Sequence, residues 1–180
     1  MNNKFLSYQK EADGLLKPEL SFDIVKRKIF VGGKDAVLYF VDGFIKDEVF
    51  EKILEYLFTL PEEKVEKTKD MDEFSKFGLP FVETDASYDI LTAAKSVLCG
   101  PAMLIVDGIE GQLIIDTRTY PVRGIEEPSK DRSLRGSRDG FVETLMFNTA
   151  LLRRRIRTEK LRMEYMQAGE NSKTDIAIAY

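Results

Sequence analysis

Histidine is absent from these 180 residues and cysteine occurs once. Without an imidazole the chain has no ordinary general base near neutral pH, lacks the commonest metal ligand and cannot form a Ser-His or Cys-His pair. Catalysis and a resident metal or other cofactor are therefore not expected. Asp42, Asp85, Asp89, Asp107 and Asp116 could contribute to a carboxylate site by type, but none has a diagnostic spacing. The lone Cys99 cannot close an internal disulfide, and between Leu98 and Gly100 it reads as a small apolar residue. No apolar run approaches the ~20 residues that a spanning helix requires. The opening MNNKFLSYQKEADGLL lacks the apolar core and small-residue cleavage site of a secretory signal. Gly32-Gly33-Lys34 lacks the spacing of a phosphate-binding loop.

What the chain does have is 43% hydrophobic and 32% charged residues, the composition of an ordinary folded protein. Its charge is unevenly placed. Residues 1–117 carry 14 basic and 22 acidic side chains, a net of −8, and residues 118–180 carry 13 and 9, a net of +4. Such polarity suits docking within the chain or head-to-tail association of subunits.

Two β-rich runs, 22–31 and 36–41, flank Gly32 to Asp35 and predict a hairpin. A second pair, 103–106 and 112–117, surrounds the turn from Asp107 to Gly111. Between them, Val49, Phe50, Ile53, Leu54, Leu57 and Phe58 follow the helical period and predict a helix over 46–60. The charged EEKVEKTKDMDE reads as a solvent-facing connection, and Ser87 to Leu98 as a second helix. A crossover through helices from 36–41 to 103–106 favours a parallel pairing there. The expected class is α/β with α+β character: a mixed four-stranded sheet with covering helices over 1–119. A charged connection (120–139) then leads to a linker helix and two strands, 161–166 and 175–180, which read as the start of a second small α/β subdomain, incomplete within these residues.

The segment RGSRDGFVETLMFNTALLRRRI, Arg135 to Ile156, concentrates the chemistry. Phe141, Leu145, Leu152 and Ile156 form an apolar stripe interrupted by Asn148. Arg153, Arg154 and Arg155 fan across about 200° of such a helix, so at least two should meet solvent, an acidic surface or a phosphate. A plain cation cluster at a helix C-terminus is the ordinary alternative. Gly136 and Gly140 flank a turn in which Ser137 or Asp139 could cap the helix. Arg135 and Arg138 at that turn could hold an anion, although pairing with Glu143 or another carboxylate is the commoner outcome. The candidate interaction residues are thus Arg135, Arg138, Glu143, Asn148, Arg153, Arg154, Arg155 and Arg157. With no interleaved aromatics, a protein surface is favoured over nucleic acid.

The stretch from YPVRGIEEPSKDRSLRGSRDGFVET through LLRRRIRTEKLRMEYMQAGENSKTDIAIAY resembles the GerA family of spore germinant receptor A subunits. SFDIVKRKIFVGGKDAVLYFVDGFIKDE, RGSRDGFVET and NSKTDIAIAY look most like its stage V sporulation AF branch, and Ser137 stands where receptor subunits often have proline. The resemblance implies the soluble N-terminal region of a spore inner-membrane protein, on the cytosolic side, with two α/β subdomains preceding membrane helices. It further implies a non-enzymatic part in a germinant-receptor or ion-channel complex. The partners it implies are other subunits of that complex, including further copies of the same chain. A small germinant or anion bound between subdomains by Arg135 and Arg138 is the alternative.

Overall fold

A computed structural model describes residues 3–80, 83–118 and 140–180, and its first element is a helix that hydropathy runs do not announce, α1 (Asn3–Leu16). Its buried residues are Phe5, Ala12 and Leu16, seven and four apart, so a narrow stripe faces inward, with Tyr8 and Leu15 partly buried beside it. The first hairpin follows, β1 (Ile24–Val31) and β2 (Lys34–Val41). Gly32 and Gly33 both have positive φ, +50° and +75°, which closes a two-residue turn of the kind that keeps the strands' twist. The turn is therefore two residues shorter than the expected Gly32 to Asp35, and β2 begins at Lys34.

The connection beyond β2 holds α2 (Asp47–Phe58), α3 (Glu62–Lys67), α4 (Met71–Gly78), β3 (Thr84–Ser87) and α5 (Ile90–Leu98). Then come β4 (Ala102–Val106) and β5 (Gln112–Ile115). The stretch expected to be a solvent-facing connection is two helices. Its charges are exposed, but Val65, Met71 and Phe74 are buried, and Asp70 caps α4 by accepting from the Glu73 amide at 2.8 Å. Cys99 ends α5 half-buried.

The sheet has five strands in the order β1-β2-β4-β5-β3, each antiparallel to its neighbour. The α+β character stands, but the expected mixed four-stranded sheet with β2 parallel to β4 does not. Ala36 faces Val106 and Tyr39 faces Met103 in an antiparallel register. The physical reason is β3, a four-residue edge strand with a single apolar residue that adds one more reversal. It and β4 both run antiparallel to β5, so the parallel crossover exists, but it leads from β3 through α5 to β4.

Each face of the sheet supports its own core. Ile29, Val31, Leu38, Leu104 and Leu113 pack beneath Leu57, Val65 and Phe74 of α2–α4, while Val37, Tyr39, Met103 and Ile105 pack beneath Phe5 of α1 and Val97 of α5. Alternation along the strands produces this division.

Tyr39 lies in the second core, where its hydroxyl donates to Asp13 Oδ1 at 2.8 Å while Lys26 donates to Asp13 Oδ2 at 2.6 Å. Burial first, and then the bond to Asp13, holds this phenol far above its ordinary 10.0. In the unfolded chain it ionises near that ordinary value, so its contribution is complete below about pH 10 and is lost as pH rises further. Urea midpoints should therefore fall above about pH 10, and the Tyr39→Phe variant should show a shallower fall. Equal alkaline slopes for the two proteins would refute this.

Candidate functional site

The last helix and strands of the chain are α6 (Leu145–Arg155), β6 (Met163–Ala168) and β7 (Thr174–Ala179). Asn148 closes the segment ahead of α6: its amide oxygen accepts from Val142 N at 2.7 Å and its amide nitrogen donates to Val142 O at 2.6 Å. Its role is local. Thr144 precedes α6 without a side-chain cap, and Ser137 and Asp139, the expected caps, lie outside the described residues.

The buried face of α6 is not its apolar stripe. Thr149, Ala150, Leu151 and Arg153 are buried, Leu145 and Leu152 are half-buried, and Phe141 and Ile156 are exposed. Small residues decide the orientation. Gly43, at φ +82° in the turn after β2, lies so close that a Cβ there would be 3.0 Å from Ala150 Cβ and 3.4 Å from Met146 O. The helix approaches the turn backbone to backbone, which a row of leucines would prevent.

That approach delivers Arg153 into the interior. Its guanidinium is 1% exposed and sits against Asp23, also 1% exposed. Nε donates to Asp23 Oδ2 at 2.7 Å and Nη2 to Asp23 Oδ1 at 3.0 Å, a two-pronged contact that suits a planar donor fork. Nη2 also reaches Ser21 Oγ at 3.1 Å and Leu161 O at 3.3 Å, and Nη1 reaches Thr158 O at 3.2 Å and Leu161 O at 3.3 Å. Ser21 Oγ in turn donates to Asp23 Oδ1 at 2.8 Å and accepts from Met163 N at 3.0 Å. Phe22 N donates to Met163 O at 3.1 Å, and the Phe22 and Tyr165 rings lie 5.9 Å apart. One side chain thus ties the entry to β1, the end of α6 and the start of β6.

Arg153, expected among the outward-facing arginines, is therefore unavailable to a docking surface. A helix whose buried face is polar and small has room for one long cation, and the carboxylate waiting for it lies 130 residues away. Arg154 is half-buried, while Glu143, Arg155 and Arg157 are exposed, and Arg157 Nε donates to Arg154 O at 2.9 Å. Arg135 and Arg138 lie outside the described residues. Sequence reasoning missed Ser21 and Asp23, whose only signal is a polar pair immediately before an apolar strand. Two of the aspartates noted by type have structural duties: Asp89 caps α5, and Asp116 pairs with Arg118. No helix among the described residues is long and apolar enough to cross a membrane.

Residues 14–180 match the family model described as Bacillus/Clostridium GerA spore germination protein. The chain belongs to the GerA family. Stage V sporulation protein AF of Bacillus subtilis (strain 168) is 36% identical over 160 residues, covering 89% of this chain and 32% of that protein. Spore germination protein KA of the same organism is 32% identical over 167 residues, covering 89% and 30%. This GerA-family chain spans about one third of the length of these curated relatives. Among solved structures, the N-terminal domain of the A subunit of the Bacillus megaterium spore germinant receptor GerK3 matches with a TM-score of 0.66 at 23% identity. That match covers 97% of this chain and 62% of that one, and it shows the shared fold. The stage V branch expected from SFDIVKRKIFVGG and NSKTDIAIAY is thus represented among the relatives.

Proposed function

We propose that this chain is the assembly and signal-coupling region of a spore germination protein, held on the cytosolic side of the spore inner membrane and not enzymatic. The observation that carries the reading is the buried Arg153–Asp23 pair. It fixes the basic end of α6 in one position relative to the acidic sheet unit, so a displacement of either is felt by the other. Beyond the pair, the exposed Arg155 and Arg157 present cations that an acidic neighbour can meet. Such a surface exists on α2, where the exposed Glu48, Glu51 and Glu55 stand in one line three and four residues apart and make no ion pair among the described residues. The α2 line of one copy meeting the α6 end of the next is a head-to-tail contact, which closes into a ring when the rotation allows. The homologues' names support the setting, and the charge separation along the chain supports the contact.

In the full-length protein in spores, Arg155→Glu with Arg157→Glu should reduce the size of the complex on native gels and slow germination. Glu51→Arg with Glu55→Arg in the same chain should restore part of both. A reversed pair that leaves complex size and germination rate at their original values would overturn the reading.

A further inference from the structure

The outer edge of β1 carries an inference independent of the α6 contact. This strand ends the five-stranded sheet, and its pairing with β2 runs unbroken from Ile24↔Val41 to Val31↔Lys34, with no proline and no bulge. Asp42 N donates to Asp23 O at 2.7 Å, so Asp23 and Asp42 face each other with their backbone polar groups. In an antiparallel ladder that orientation alternates, and residues 25, 27, 29 and 31 therefore point their N–H and C=O at β2. The backbone groups of Lys26, Lys28 and Phe30 point away from the sheet. Phe22 has the same parity, and its outward N–H is already taken by Met163 O at 3.1 Å. Among the described residues the edge is thus occupied at its first step by the start of β6 and open beyond it.

The side chains beside the open groups specify what fits there. Arg27 and Lys28 are exposed, lie on opposite faces of the pleat and have no ion-pair partner among the described residues, whereas Lys26 is tied back to Asp13. Phe30 is 66% exposed at the turn end. Cations on an edge strand deter like edges, and a second β1 laid antiparallel about Arg27 or Lys28 would set that cation against its own counterpart. The same cations attract a strand with carboxylates on both faces, and Phe30 gives it an apolar cross-strand contact. Main-chain bonds would supply affinity and the alternating side chains selectivity. We propose that the open edge of β1, from Lys26 to Phe30, is a strand-docking site for an extended acidic segment of a partner protein.

The test uses the 180-residue chain and two synthetic peptides, one repeating Glu-Glu-Val-Val, which sets carboxylates on both faces of an extended strand, and the other with lysine in place of glutamate. The acidic peptide should bind saturably, about tenfold or more above the basic one, and more weakly as salt rises. Amide exchange measured by NMR should slow at Lys26, Lys28 and Phe30. Arg27 and Lys28 are exposed, so Arg27→Glu with Lys28→Glu should leave the fold intact and switch preference to the basic peptide. Equal binding of both peptides, or exchange slowed only elsewhere, overturns the proposal. Protection of these amides on raising protein concentration without peptide would assign the edge to a second copy instead.

Discussion

Replacing Arg153 with methionine should lower unfolding free energy by about 3–5 kcal/mol, because removing one member of a buried pair strands the other. Asp23 would remain as a carboxylate at 1% exposure with one donor left, the Ser21 hydroxyl, while the carbonyls of Thr158 and Leu161 lose the donors that reach them at 3.2 and 3.3 Å. That loss is a large share of the 5–15 kcal/mol typical of a whole domain. Arg153→Lys should not rescue it, since an ammonium cannot address both oxygens of Asp23 and two carbonyls from one fixed fork. The double variant Arg153→Met with Asp23→Leu should regain most of the stability, because it removes the stranded charge together with its partner. Urea denaturation of these three variants and of Asp23→Leu alone measures this, and the coupling between the two sites should be well over ~1 kcal/mol. Hydrogen exchange gives the spatial counterpart: in Arg153→Met the amides of β6 and β7 should exchange faster than those of β2 and β4. Additive losses at Arg153 and Asp23, or exchange that rises evenly throughout, would mean that the pair does not act as a latch.

Sequence patterning made part of this structure legible, and the reasons are local. Gly32-Gly33 between β-branched runs fixes a hairpin because few other residues adopt two successive positive φ values. The period of Phe50, Ile53, Leu54 and Leu57 fixes α2 because those four side chains are buried. Other elements carry too little apolar signal to compete with their charges. In β3 the residues Thr-Asp-Ala-Ser earn their place only through pairing with β5, and that one unread strand turned an antiparallel neighbour into an expected parallel one. The site was legible as a region but not as an arrangement. Its arginines stand out in the sequence, yet nothing local reveals that Asp23 waits for Arg153. Nor does hydrophobicity reveal that α6 turns inward through Thr149, Ala150 and Arg153, since a close backbone approach at Gly43 selects small residues over greasy ones.

The sharpest reversal concerns two phenylalanines. By periodicity Phe58 belongs to the packed face of α2, and Phe74 adjoins a stretch read as solvated, yet Phe58 is 53% exposed and Phe74 is 0% exposed. Phe74 is set on its course by the Asp70 cap of α4 and packs edge-on to Phe77 with ring centroids 5.6 Å apart. It is also the ring against which Gly78 closes, since a Cβ at Gly78 would lie 2.5 Å from Phe74 Cε1. Phe74→Ala should therefore cost about 3–5 kcal/mol, the transfer loss plus the cavity left in a core that cannot collapse fully. Phe58→Ala should stay within about 0.5 kcal/mol, as expected for a side chain already facing water. Thermal and urea unfolding of the two variants give the comparison directly. Similar losses for both would mean that α3 and α4 lie loosely on the sheet, and the charged stretch would then be the solvated connection that its composition suggests.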